Sequence, residues 1–109
     1  MSPAKTDVLT PRPSSASITE MTEYVLPQHA NLYLTVFGGQ IMAWVDLCAA
    51  VCAQRHSGRL CVTASVDGLL FKQPVRVGQV VQLRAHVTAT FRTSMEIAVS
   101  VTGEDTLTG

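Results

Sequence analysis

Apolar and polar positions alternate with a period of two along three stretches of the chain. In residues 60–71, Val62, Ala64 and Val66 alternate with Cys61, Thr63, Ser65 and Asp67. In residues 79–89, Val81, Leu83, Ala85 and Val87 alternate with Gln82, Arg84, His86 and Thr88. In residues 94–101, Met95, Ile97, Val99 and Val101 alternate with Glu96, Ala98 and Ser100. Such alternation predicts strands with one dry and one wet face, and hence an antiparallel sheet. Pro74 and Gly78 mark a turn between the first two stretches, and Thr90-Phe91-Arg92 is short enough for a hairpin between the last two. A fourth strand is expected over Ile18–Leu26, ended by Pro27, and residues 28–37 form a connector of mixed character.

One segment breaks the alternation. GGQIMAWVDLCAAVCAQRHSG, from Gly38 to Gly58, holds good helix formers and no proline. It closes on Arg55 and His56, which suit the negative end of a helix dipole, with Gly58 as a stop. At 1.5 Å per residue it would run about 27 Å. From Ile41 to Ala53 it is apolar nearly all round, so it is expected to be enclosed by protein on most sides. The economical packing is an α+β one, with a sheet curled around the helix and its dry face inward.

Composition narrows the classes. The chain has 109 residues, enough for one domain, and 47% of them are hydrophobic. Residues 1–16, with three prolines among Ser, Thr and Ala, are expected to be a disordered tail, and 17–109 the domain. Eight basic and eight acidic residues leave no net charge, which argues against general nucleic-acid binding but allows one small basic patch on a phosphorylated ligand. No apolar run approaches the roughly 20 residues of a membrane span. Lys5 has no apolar stretch behind it, so no secretory signal is read and a cytoplasmic location is expected. Three cysteines without framework spacing fit a reducing compartment. Cys48 and Cys52 lie one helical turn apart, but no His, Asp or Glu completes a metal shell, and they read as small hydrophobes.

Asp46 then stands out. It lies mid-helix between Val45 and Leu47, and a carboxylate taken from water must be paired, hydrogen-bonded or lining a cavity. Gly38-Gly39 at the helix start allows a ligand to touch the backbone, and the first amides of a helix have no internal partners. Free N–H groups at the positive end of the dipole suit a developing oxyanion. A tight turn is the plainer reading of the glycine pair. Together with Asp46 the glycines supply the parts for acyl transfer. Ser65, Ser94 and Ser100 have no evident His partner, and the cysteines lack an electropositive setting. Asp46 is left as general base for water, or as the nucleophile itself.

The run NLYLTVFGGQIMAWVD (31–46) resembles the signature of hot-dog acyl-CoA thioesterases, and the likeness continues through residues 61–83 and 93–101. The resemblance implies a hot-dog fold and a homodimer or larger homo-oligomer, with active sites between neighbouring hot dogs. It implies hydrolysis of fatty acyl-CoA, with coenzyme A as part of the substrate and neither a separate cofactor nor a metal. By the same resemblance Asp46 is the catalytic aspartate, Asn31 acts across the interface where its plainer reading is a turn residue, and the Gly38 and Gly39 amides face the thioester carbonyl. Two departures follow. Leu34 stands where the family usually has glycine, and the chain stops at Gly109, where a final strand is expected to begin.

Among the remaining candidates, Phe37 and Trp44 either shape an acyl tunnel or pack the core. Arg92, Thr93 and Ser94 are candidates for the coenzyme A end, in competition with Lys72, Arg76 and Arg84. His29 either lines the cleft or, more plainly, is a surface residue of a loop; His86 reads as a residue on the wet face of a strand and His56 as a helix cap. Two rivals remain: a hot-dog hydratase or dehydratase, which would want a His inside 38–46, and a non-catalytic acyl-CoA-binding or assembly module.

Overall fold

The computed structural model describes residues 18–58, 74–92 and 94–109. The anticipated tail (1–16), the strand over 60–71 with Cys61, Lys72 and Thr93 therefore lie outside the described residues.

Alternation along β2 (Val80–Thr90) is realised as written: Val81, Leu83, Ala85 and Val87 are buried, while Gln82, Arg84, His86 and Thr88 face solvent. This strand is the middle of an antiparallel sheet, flanked by β1 (Thr19–Tyr24) and β3 (Met95–Glu104). Its register sets Leu83 between Met21 and Val101, and Ala85 between Thr19 and Val99. All of these therefore point to one side. A register shift between Val87 and Ala89 bends the β2–β3 ribbon near its hairpin end. The turn before β2 uses Gly78 at φ +91°, with the Gln79 N–H donating to the Arg76 carbonyl at 3.0 Å. Gly103 is needed for closeness: a Cβ there would stand 2.6 Å from Val75 Cγ2.

The helix α1 spans Gly38–Ser57 and lies on the dry face of the sheet. Gly58, at φ 72°, ends it in the left-handed conformation and donates its N–H to the Gln54 carbonyl at 2.7 Å. The cap is thus a glycine and not His56, whose buried Nδ1 has no hydrogen-bond partner among the described residues. Arg55 ties the helix end to the sheet, donating from Nη1 to the Ile18 carbonyl at 3.4 Å and Thr19 Oγ1 at 3.3 Å. Cys48 Sγ donates to the Thr19 carbonyl at 3.7 Å. Burial, and after it the neighbouring Cys52, push the Cys48 thiol pKa up, with Arg55 pulling the other way.

Ile41, Trp44, Val45, Cys48 and Cys52 form the buried stripe of α1, packed with Val25, Val75, Val81, Leu83, Ala85 and Val87. Enclosure stops there. Ala43, Asp46 and Leu47, on the other side, are exposed, Leu47 to 52%. The all-round apolar pattern predicted a helix covered on most sides; Met42, Ala49, Ala50 and Val51 are partly buried, and the exposed strip is the one that carries Ala43, Asp46 and Leu47. One long helix against a curled antiparallel sheet is the hot-dog arrangement, here with three strands among the described residues. Among the described residues, no helix is long and apolar enough to cross a membrane.

Candidate functional site

The start of α1 is uncapped. Phe37 is the N-cap residue and its side chain offers no acceptor. Its carbonyl takes the N–H groups of Gln40 and Ile41, at 3.1 and 3.2 Å. Among the described residues nothing accepts the N–H of Gly38 or Gly39. Neither glycine has a positive φ, so no tight turn demands them. A Cβ built on either would meet nothing within 4 Å. Space, not backbone conformation, is what these two glycines leave at the helix start. Phe37 itself is 49% exposed beside that space.

Asp46 lies on the open face of α1. The sequence suggested a carboxylate withdrawn from water; in the single chain Asp46 is exposed. It makes no hydrogen bond or ion pair with any described residue. Among the described residues, therefore, nothing locks it in the core or neutralises it. Gly39 and Asp46 are separated by two helical turns, which places them on the same face about 10 Å apart.

Asn31 sits in a three-residue loop closed by two backbone bonds: its N–H donates to the Thr35 carbonyl at 2.9 Å, and the Leu34 N–H donates to the Asn31 carbonyl at 3.0 Å. An isolated bridge joins Ala30 to Val36 behind it. The side-chain oxygen Oδ1 accepts from the Tyr33 N–H (2.9 Å), the Thr35 N–H (3.2 Å) and Thr35 Oγ1 (3.1 Å). Two of those donors are backbone amides, so the atom they face must be the oxygen. The oxygen is consumed by the loop. The two N–H donors of Nδ2 have no partner among the described residues. Leu34 adopts φ 61°, the left-handed conformation that closes such a loop and that glycine ordinarily supplies. Its carbonyl accepts the Val77 N–H at 3.0 Å, which holds the conformation, while its side chain is 61% exposed.

Of the other candidates, Trp44 is core, 7% exposed. Arg92 and Ser94 are exposed in the β2–β3 turn, where the Phe91 N–H donates to the Ser94 carbonyl at 2.7 Å. The loop of Asn31 joins the chain at the other end of β2, through a bridge between Thr35 and Arg76. A strand of that length is roughly 35 Å long, so a single protomer does not bring Arg92 or Ser94 to Asn31. Arg84 faces Glu20 at 3.7 Å across the wet side of the sheet.

His29 is the residue the sequence undersold. Read as a surface histidine, it is half-buried, with its ring edge-on to Trp44 at 5.1 Å and its Nδ1 accepting the Leu26 N–H at 3.0 Å. The signal available was its place three residues after Leu26, in a short 3-10 turn (Pro27–His29) opened by a proline.

Residues 33–109 match the family model of the Thioesterase superfamily, and the chain belongs to that family. It is 43% identical over 89 residues to an acetyl-coenzyme A thioesterase of Rattus norvegicus, covering 82% of this chain and 16% of that one. A crystal structure of an apo-hexameric acyl-CoA thioesterase superposes with a TM-score of 0.85 at 42% identity, over 90% of this chain and 63% of that one. An acyl-CoA hydrolase of Staphylococcus aureus, solved with butyryl coenzyme A and coenzyme A, superposes with a TM-score of 0.81 at 36% identity, over 86% of this chain and 57% of that one. The same hydrolase has been solved as variants in which an asparagine, an aspartate or a threonine is replaced by alanine. The chain thus spans only part of the length of each of these relatives.

Proposed function

We propose that this chain hydrolyses fatty acyl-CoA thioesters. Water adds to the thioester carbonyl, the carbon–sulfur bond breaks, and a free acid and the thiol of coenzyme A leave. The observation that carries this reading is the open face of α1. Gly38 and Gly39 amides and an Asp46 carboxylate that have no partner among the described residues share it, in a chain that belongs to a thioesterase family.

In this mechanism the Gly39 amide, backed by Gly38 and the helix dipole, stabilises the oxyanion, a contribution worth about 10²–10³ in rate. Asp46 takes the proton of the attacking water, worth about 10²–10⁴. Asn31 acts as a donor, because its oxygen is already occupied by three loop contacts. Its Nδ2 orients either the thioester oxygen or the water through the water's lone pair. Support for the pair Asn31 and Asp46 comes from the S. aureus hydrolase. The asparagine and aspartate replaced there lie as far apart along that chain as Asn31 and Asp46 do along this one. The same spacing lands the replaced threonine on Thr63, outside the described residues.

About 10 Å between the Gly39 amide and Asp46 is too far for one water to serve both within a protomer. We therefore assign Asp46 to one protomer, and Asn31 with the glycine amides to its neighbour, in a homodimer or larger assembly that covers the exposed face of α1. Leu32, Tyr33, Leu34, Phe37 and Leu47, all exposed in the single chain, fit an apolar contact of that kind. In it Phe37 flanks the acyl chain, and Arg92, Thr93 and Ser94 reach the pantetheine and phosphates of a coenzyme A bound by the adjoining protomer.

The test is thiol release from acetyl-, butyryl-, decanoyl- and palmitoyl-CoA. The expected outcome is release of one thiol per acid formed, with at least one chain length preferred. Binding of coenzyme A with no thiol released at any length would instead support an acyl-CoA-binding module. Consumption of an enoyl-CoA without thiol release would support a hydratase.

A further inference from the structure

We infer that His29 is a positioning residue for this site, fixing the loop of Asn31 against the amide-bearing end of α1; the inference rests on the thioesterase reading above. His29 is joined to both sides of the site by separate contacts. Its ring Nδ1 accepts the Leu26 N–H at 3.0 Å, and its own N–H donates back to the Leu26 carbonyl at 2.9 Å, closing the turn that leads into Asn31 two residues later. Its carbonyl accepts the N–H of Phe37 at 2.9 Å, and Phe37 is the residue whose carbonyl starts the hydrogen bonding of α1. Its ring stands edge-on to Trp44 at 5.1 Å and 78°, two residues before Asp46. One residue, through its ring and its two flanking peptide units, therefore links the donor loop, the cap of the amide-bearing helix and the buried stripe of that helix.

The ring contact fixes orientation as well as place. An Nδ1 that accepts a backbone N–H must present its lone pair to that donor, which fixes the orientation of the ring. A phenyl ring keeps the packing on Trp44 and loses the acceptor, leaving the Leu26 N–H without it. An asparagine keeps an acceptor at nearly the position of Nδ1 and loses the ring. The two substitutions separate the contributions. Misplacement of a positioned group by about 1 Å is enough to cost up to roughly 10²-fold in rate.

The test compares His29→Phe, His29→Asn and His29→Ala in the full chain, by kcat and KM for butyryl- and decanoyl-CoA and by thermal melting. For His29→Phe the expected result is a kcat lower by about tenfold, with KM within about threefold and a folded, assembled protein. His29→Asn is expected to recover kcat to within about threefold of the wild type. His29→Ala is expected to lose both activity and melting temperature. A folded His29→Phe with wild-type kcat would overturn the inference, and so would an asparagine variant no better than the phenylalanine one. If His29→Phe does not fold, the asparagine variant carries the decision: near-wild-type kcat supports the Nδ1 acceptor as the positioning contact, and a tenfold loss contradicts it. A wild-type protein that releases no thiol from any acyl-CoA would remove the thioesterase reading and this inference with it. An active wild type with an unaffected His29→Phe removes this inference alone.

Discussion

The two faces of α1 are built from similar residues and do opposite things. On one, Ile41, Val45, Cys48 and Cys52 are sealed against the sheet. On the other, Gly39, Ala43, Asp46 and Leu47 stand open, and the only charged side chain among them has no partner among the described residues. Small and apolar residues serve both, so hydrophobicity alone does not tell a face that closes a core from one that awaits a surface. Polarity placed on an otherwise apolar helix does: burying Asp46 unpaired would be costly, whereas on an exposed face its carboxylate stays within reach of water.

That contrast can be broken from either side. The largest effect is expected on the open face. Asp46→Asn should lower thiol release by about 10²–10⁴ while leaving coenzyme A affinity and melting temperature close to wild type. Wild-type turnover in that variant would contradict the mechanism. On the sealed face the readouts exchange places. Ile41→Ala, at a side chain 1% exposed, should cost about 2–5 kcal/mol of stability in denaturant unfolding, with kcat per folded molecule reduced far less than by Asp46→Asn.

A smaller, opposite change is expected at Leu34. Replacing it with glycine removes a left-handed strain of about 1–2 kcal/mol and adds about 0.5–1 kcal/mol of chain entropy. The net should be a stabilisation of about 0.5–1 kcal/mol, visible as a higher denaturant midpoint. The smallest effect belongs to Cys48. Its raised pKa means that the unfolded chain releases the thiol proton first, so this contribution to stability is full below the ordinary thiol range near about 8.5 and declines as pH rises above it. Cys48→Ala should flatten the alkaline fall in stability, whatever it does to the absolute value.

Much of the scaffold was legible in the residues. Period-two alternation located β2 and β3 because one face of each is dry, and Gly58 marked the end of α1 because only a left-handed residue closes it that way. The connector before α1 was not legible. Its order comes from Asn31 Oδ1, His29 Nδ1 and carbonyls reaching Phe37 and Val77, contacts that leave no periodic trace. The exposure of Asp46 was missed for a related reason. Apolarity all round a helix reports the sum of what covers it, from its own chain and from others. At Gly38 and Gly39 the plainer expectation of a tight turn fails, and open space above the helix start is what they provide.

The division of the site between protomers is tested most directly by mixing two inactive variants. Asp46→Asn lacks the acid. Asn31→Asp keeps an oxygen for the three loop donors but replaces the free N–H donors with a second acceptor, so the loop should persist while its function is lost. Each alone should release almost no thiol. Refolded together, they should regain a clear fraction of wild-type activity, because some mixed sites combine an intact Asp46 with an intact Asn31. Mixed assemblies shown to form and yet as inactive as either parent would contradict a site shared across subunits.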